Sequence, residues 1–167
     1  KIIINGLKKI FKNPNIYSEE SNFKKKKKSK NFWLVDPLDG TKEFIKKNGE
    51  FTINVARIIN HKVNFGVIYA PYLKKTYVGI NSNTYEIIKK KEFKKIKRKK
   101  NLKKTMIVSR SHSTKKEISK LIKKHKIKKI LFLGSALKFC YLAEGKADIY
   151  PRNGTTYEWD TAAGHAI

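Results

Sequence analysis

Asp36 and Asp39 stand three residues apart, with Pro37 and Leu38 between them, at the end of the apolar run Phe32-Trp-Leu-Val35. Such a run reads as a short buried strand. Pro37 biases Asp36 toward extended backbone and offers no amide hydrogen, while Gly40 lets the chain turn sharply, so the two carboxylates can converge at a strand end. Thr41 then opens a short helix predicted over Lys42 to Lys47. The first amides of that helix have no internal partners and its dipole is positive there, which favours an anion such as phosphate. Carboxylates for a hard cation beside amides for a phosphate point to phosphate-ester chemistry.

Two more acidic positions bear on that chemistry. Glu19 and Glu20 precede the strand, separated from it by residues 22–31, whose lysine run reads as a loop. Alone, an adjacent glutamate pair is an ordinary solvated surface feature; its place just ahead of Asp36 and Asp39 makes it a candidate. Asp160 follows Trp159 and precedes Thr161-Ala-Ala-Gly164, small residues suited to close helix packing. By itself it reads as the start and N-cap of a last helix. Together Glu19, Asp36, Asp39 and Asp160 form an oxygen-only set without histidine or cysteine, the ligand chemistry of magnesium and not of zinc.

The elements that must position these groups fall into two stretches. Residues 1 to 11 read as a helix closed by Lys12-Asn-Pro-Asn15, and Ile16-Tyr17 as a brief strand. Glu50 to Ile59 alternates as a strand does, with Phe51, Ile53, Val55 and Arg57 on one side. Asn60-His61-Lys62 makes a tight turn into Val63 to Tyr69, and Thr76 to Ile80 and Tyr85 to Ile88 extend an antiparallel meander. The lysine comb from Lys89 to Lys104, with Phe93 and Ile96 marking one edge strand, reads as a boundary between units 1–104 and 105–167. Beyond it, Met106 to Val108, Ile130 to Leu133 and Ala147 to Tyr150 read as strands, and Thr114 to His125 and Ala136 to Glu144 as helices. This alternation predicts an α/β layer behind the α+β half, with Ser109-Arg-Ser-His112, Gly134-Ser135 and Pro151-Arg152 at strand ends, where such sheets place ligands.

A chain of 167 residues with 40% hydrophobic residues can bury a real core. No run approaches the roughly 18 apolar residues of a membrane span, and the start lacks a signal-peptide pattern, so the expected location is cytoplasmic. Cys140 alone excludes an internal disulfide framework and reads as core packing. The formal charge of +27 would ordinarily suggest nucleic acid or an acidic membrane. Lysine is spread over every surface-like segment, however, whereas arginine, which reads bases and phosphates through two donors, occurs only at Arg57, Arg98, Arg110 and Arg152. No specific nucleic-acid partner is therefore expected; the basic surface leaves room for peripheral association with the inner face of the cell membrane.

Glu19-Glu20, Asp36-Pro-Leu-Asp-Gly-Thr41 and Trp159-Asp-Thr-Ala-Ala-Gly164, in this order, resemble the three signatures of the lithium-sensitive, magnesium-dependent phosphatases of the inositol monophosphatase superfamily. Within it, Trp33 to Ile45, Asn48-Gly-Glu-Phe-Thr52, Ser109-Arg-Ser-His112 and Gly134 to Cys140 are similar to the 3′(2′),5′-bisphosphate nucleotidases. The resemblance implies a sugar-phosphatase-type layered α-β-α-β-α sandwich. It also implies a substrate, 3′-phosphoadenosine 5′-phosphate, hydrolysed to AMP and phosphate as a by-product of sulfate activation is cleared.

By the same resemblance, Glu19, Asp36 and the carbonyl of Leu38 would hold one magnesium ion, and Asp36, Asp39 and Asp160 a second, with Glu20 in support. Thr41 would orient the attacking water, and the amides of Gly40 and Thr41 would grip the reacting phosphate. Ser135, Lys138 and Arg152 would take the other phosphate, and His112 would lie against the adenosine. From the residues alone, Lys138 is one lysine among many and His112 a helix cap. Family members carry a section before the glutamate pair, with an aspartate that assists the attacking water, and further strand and helix after the last signature. The sandwich is thus expected to be incomplete at both ends. An inositol or sugar monophosphatase on the same scaffold, and a basic nucleic-acid-binding protein that keeps the fold without the catalysis, are the rival readings.

Overall fold

The computed structural model describes residues 1–21, 29–89, 92–99, 103–110, 115–152 and 154–167, and of residues 115 and 117 the backbone alone. It is a mixed α/β fold with one large mixed sheet. After helix α1 (Ile2–Ile10), seven strands lie side by side in chain order: β1 (Ile16–Ser18), β2 (Phe32–Asp39), β3 (Thr52–Ile59), β4 (Lys62–Ala70), β5 (Lys75–Ile80), β6 (Asn83–Lys89) and β7 (Glu92–Lys95). β1 runs parallel to β2 and every later pair is antiparallel. Helix α2 (Thr41–Ile45) sits between β2 and β3.

The hairpins follow from turn chemistry. Asn60 and His61 (φ +49° and +62°) join β3 to β4, and Asn81 and Ser82 (φ +49° and +58°) join β5 to β6. Two consecutive residues with positive φ give the turn whose twist matches that of the flanking strands, and asparagine tolerates that conformation best after glycine.

A second, two-stranded parallel sheet pairs β8 (Thr105–Ser109) with β9 (Lys129–Leu133) across α3 (Lys115–His125). Ile118, Leu121 and Ile122 of α3 pack on Met106 and Val108, the face that the helical spacing predicts. The strand expected over Ala147–Tyr150 shrinks to a single parallel bridge between Met106 and Ile149. The Asp148 carboxylate accepts the Thr105 amide at 2.8 Å in place of a ladder bond, and Pro151 removes the next donor.

Helices α4 (Leu137–Ala143) and α5 (Glu158–Ala166) cover the large sheet. Ala136, Cys140, Ala162 and Ala163 share a core with Leu34, Ala56, Ile58 and Ile68. Among the described residues, no helix is long and apolar enough to cross a membrane. The contact of α5 with the sheet is very close. A Cβ at Gly66 would meet the Ala163 carbonyl oxygen at 2.6 Å and the Ala166 Cβ at 2.7 Å. Gly66→Ala is therefore expected to destabilise by about 1 to 3 kcal/mol through overpacking. Gly6→Ala in α1, where a Cβ meets nothing within 4 Å, should stabilise by about 0.5 to 1 kcal/mol. Urea midpoints of the two variants should move in opposite directions.

Candidate active site

The end of β2, the start of α2, the β9–α4 turn and the first turn of α5 enclose a cavity of about 260 Å³. Glu19, Asp36, Asp39 and Asp160 all line it, together with Leu38, Gly40, Thr41, Ser135, Lys138 and Arg152. The sequence places these residues far apart; the fold brings them to one space. Glu20 is exposed and is not part of the lining. His112 lies outside the described residues.

The local chain explains how the two motif aspartates are aimed. The β2–β3 register breaks between Asp36 and Asp39. Pro37 sits in this irregularity, where a missing amide hydrogen costs no ladder bond. The Leu38 amide donates to Asp36 Oδ1 at 3.0 Å, and the Thr41 hydroxyl donates to the Leu38 carbonyl at 3.4 Å. Gly40 caps α2 at φ +89°, and a Cβ there would lie 3.0 Å from the Glu50 carbonyl oxygen and 3.1 Å from the Ser135 Cβ. Both the backbone angle and the space require glycine.

Three donors converge on Asp39 Oδ2: the Ala136 amide at 2.6 Å, the Asn54 side-chain amide at 3.2 Å and the Thr52 hydroxyl at 3.4 Å. The strand alternates as its sequence predicts, with Ile53, Val55 and Arg57 on one side. The fully buried side is Thr52, Asn54, Ala56 and Ile58, whereas Ile53, Val55 and Arg57 are only half-buried. Two polar residues can occupy the buried face because Asp39 accepts their hydrogens. The odd-numbered face is closed in part by Arg57, whose guanidinium lies 5.2 Å from the Phe11 ring centroid and 5.5 Å from that of Trp33.

Burial, followed by the charges of Asp39 and Glu19, pushes the Asp36 carboxyl up to about 8. Burial likewise holds Glu19 and Asp39 above their ordinary range; a hydrogen bond with Asp36 opposes it for Glu19, and the charge of Lys138 opposes it for Asp39. Lys138, only 4% exposed, is drawn down to about 8 by burial, against the attraction of Asp39 and with the repulsion of Arg152. Its ammonium donates to the Ser135 carbonyl and lies 5.2 Å from the Tyr150 ring centroid.

An all-oxygen cluster of carboxyls that resist ionisation is the electrostatic condition a divalent cation relieves, so the donor set fits magnesium. Among the described residues, no three or more His, Cys, Asp or Glu side chains form a compact metal-holding group. Asp160 shows why. It stands at the third position of α5, after Tyr157 as N-cap, and so does not begin the helix as expected. Its Oδ2 accepts the Tyr157 amide at 2.9 Å and the Thr156 hydroxyl at 3.1 Å, which ties it to its own helix end.

Several supporting residues escaped the sequence reading. Glu43, 5% exposed, packs under Gly134, where a Cβ would meet Glu43 Cγ at 2.5 Å. Glu50 accepts both the Gly134 amide and the Arg110 guanidinium. Thr52 and Asn54 had a visible signal: two polar residues at alternate positions of an otherwise apolar strand, next to the aspartate motif.

The Inositol monophosphatase family model matches residues 1–167. A protein of Buchnera aphidicola named 3′(2′),5′-bisphosphate nucleotidase CysQ is 48% identical over 99% of this chain and 63% of its own length. Its Escherichia coli K12 namesake is 40% identical over 99% of this chain and 68% of its own. The crystal structure of CysQ from Bacteroides thetaiotaomicron superposes with a TM-score of 0.82 at 38% identity, over 93% of this chain and 65% of that one. This chain thus spans about two thirds of the length of the relatives it matches. With the family model matched from the first residue to the last, on a fold shared with a solved member, the chain belongs to the inositol monophosphatase family.

Proposed function

We propose that the protein is a magnesium-dependent 3′(2′),5′-bisphosphate nucleotidase that hydrolyses 3′-phosphoadenosine 5′-phosphate to AMP and phosphate. One observation carries this reading: the cavity joins a carboxylate cluster, suited to cations and a reacting phosphate, to a buried ammonium, Lys138, with Ser135 and Arg152 beside it. A substrate with two phosphates answers both halves. The names of the relatives support the same assignment.

Metal dependence is general in the family. In this chain Glu19, Asp36 and the Leu38 carbonyl would hold one Mg²⁺, and Asp36, Asp39 and Asp160 a second. When bound, such ions supply a water ionised near neutral pH and positive charge for the attacking and leaving oxygens. The remaining work falls to the chain itself. Thr41 orients the attacking water through a hydroxyl that the Leu38 carbonyl keeps in place, and the Gly40 and Thr41 amides face the reacting phosphate. Ser135, Lys138 and Arg152 hold the other phosphate, and His112 is the candidate for the adenosine.

Arg152 tests the substrate. Its guanidinium donates to the Thr155 carbonyl at 3.1 Å, a neutral partner that a phosphate would replace. Arg152→Ala should lower kcat/KM for the bisphosphate by about tenfold or more, and that for inositol 1-phosphate by less than about threefold. Phosphate release from both substrates, on protein expressed from its complete coding sequence, decides it. Equal losses would make Arg152 structural, and a wild-type preference for inositol 1-phosphate would replace the nucleotidase reading with that of a monophosphatase.

A further inference from the structure

The β9–α4 turn joins the two halves of the cavity, and an ion pair outside the carboxylate cluster holds it. Arg110 Nε donates to Glu50 Oε2 at 2.9 Å and its Nη2 to Glu50 Oε1 at 2.6 Å, a two-point contact. Nη2 also donates to the Phe132 carbonyl at 2.9 Å. The same Glu50 Oε2 accepts the Gly134 amide at 2.8 Å, the first donor of the turn.

From there the turn reaches both ways. The Ala136 amide grips Asp39, and the Ser135 carbonyl receives the Lys138 ammonium. Ser135 sits at φ +49°, a left-handed conformation that non-glycine residues rarely adopt and that persists only where the surroundings over-determine it. Gly134 has no room for a side chain, since a Cβ there would lie 2.8 Å from the Glu50 carbonyl oxygen. Burial pushes the Glu50 carboxyl up, but the Arg110 and Gly134 hydrogen bonds outweigh it and hold the group below its ordinary range, ionised across the working pH.

We infer that Glu50 and Arg110 are positioning residues that fix the turn at Gly134–Ala136 and thereby set the distance between the reacting-phosphate half and the Ser135/Lys138 half of the cavity. Preference for a substrate with two phosphates depends on that distance. The inference rests on the proposed function for its substrate and on the turn itself for its mechanism.

Two measurements on protein from the complete coding sequence test it. At saturating magnesium, which offsets any loosening of Asp39, kcat/KM for 3′-phosphoadenosine 5′-phosphate should fall about tenfold in Arg110→Met, mainly through KM, while inositol 1-phosphate hydrolysis changes by less than about threefold. Arg110→Lys should recover part of the loss. Glu50→Gln, which keeps the shape and an acceptor for Gly134, should show the same direction, and the double variant should be no worse than the poorer single one. Hydrogen exchange at the amides of residues 134–136 should quicken by about tenfold in Arg110→Met, with the β8 amides unchanged. Wild-type exchange there would overturn the positioning role whatever the enzyme hydrolyses. Faster exchange with equal losses on both substrates would overturn the spacing role. A wild-type enzyme indifferent to the second phosphate would fail the functional proposal, leaving exchange to judge the turn.

Discussion

Asp36→Asn should lower magnesium-dependent phosphate release by about a thousandfold or more and, with magnesium removed, should make the protein more stable at pH 8. The two effects have one origin. Asp36 is 1% exposed and is the carboxylate assigned to both metal positions, so its loss removes charge where the cations need it. Without cations the same charge is unfavourable, since burial and the charges of Asp39 and Glu19 push the carboxyl up to about 8. Its folded pKa thus lies above the unfolded value. Between about pH 4 and pH 8 the folded state keeps a proton that the unfolded state has released, and stability falls as pH rises through that window. Asparagine has no such proton. Urea unfolding in EDTA at pH 5 and pH 8 should show a decline in wild type that is smaller in Asp36→Asn by more than about 1 kcal/mol. Magnesium should restore the wild-type midpoint at pH 8 and leave that of the variant nearly unmoved. Equal pH declines in the two proteins, or undiminished magnesium binding in the variant, would remove Asp36 from the centre of the site.

The part of this site that was legible in the sequence is the part built locally. Asp36, Pro37, Asp39 and Gly40 lie within one strand, bulge and turn, and each residue type has a backbone reason to be there. The meander was legible for the same reason, because Asn60-His61 announces a turn over a few bonds. What escaped depends on distant partners. Thr52 and Asn54 occupy the buried side of β3 because Asp39, beyond α2, accepts from them. Glu50 meets Arg110 across 60 positions, and neither residue alone suggests the other. Asp160 reads as a helix start from its neighbours, but Tyr157 takes that place and turns the carboxylate back on its own helix. Ala147 to Tyr150 has a strand's composition, yet Asp148 satisfies the neighbouring backbone with its side chain.

Lys138 shows the limit most sharply, since in a lysine-rich chain its type carries no information; the family resemblance names it, and burial sets it apart from the other lysines. Lys138→Met should lower kcat/KM for 3′-phosphoadenosine 5′-phosphate by about a hundredfold or more, because one member of a buried charge pair is lost. Hydrolysis of a monophosphate should fall far less once magnesium is saturating, which offsets the charge that Lys138 brings to Asp39. The pH dependence gives an independent sign. Burial draws the ammonium down to about 8, so in wild type kcat/KM for the bisphosphate should decline above pH 8 as the cation is lost. Lys138→Arg keeps its charge there and should lack that limb, even if its geometry lowers the plateau. Stability runs the other way. With the folded pKa below the ordinary lysine value, the unfolded state binds the extra proton between about pH 8 and 10.5; the penalty of burying the charge is complete below pH 8 and is relieved as pH rises. Lys138→Met removes that penalty and should be at least as stable as wild type at pH 7. A bisphosphate limb above pH 8 that survives in Lys138→Arg, or equal losses on both substrates at saturating magnesium, would make Lys138 a support for Asp39 and the Ser135 turn and not a ligand of the second phosphate.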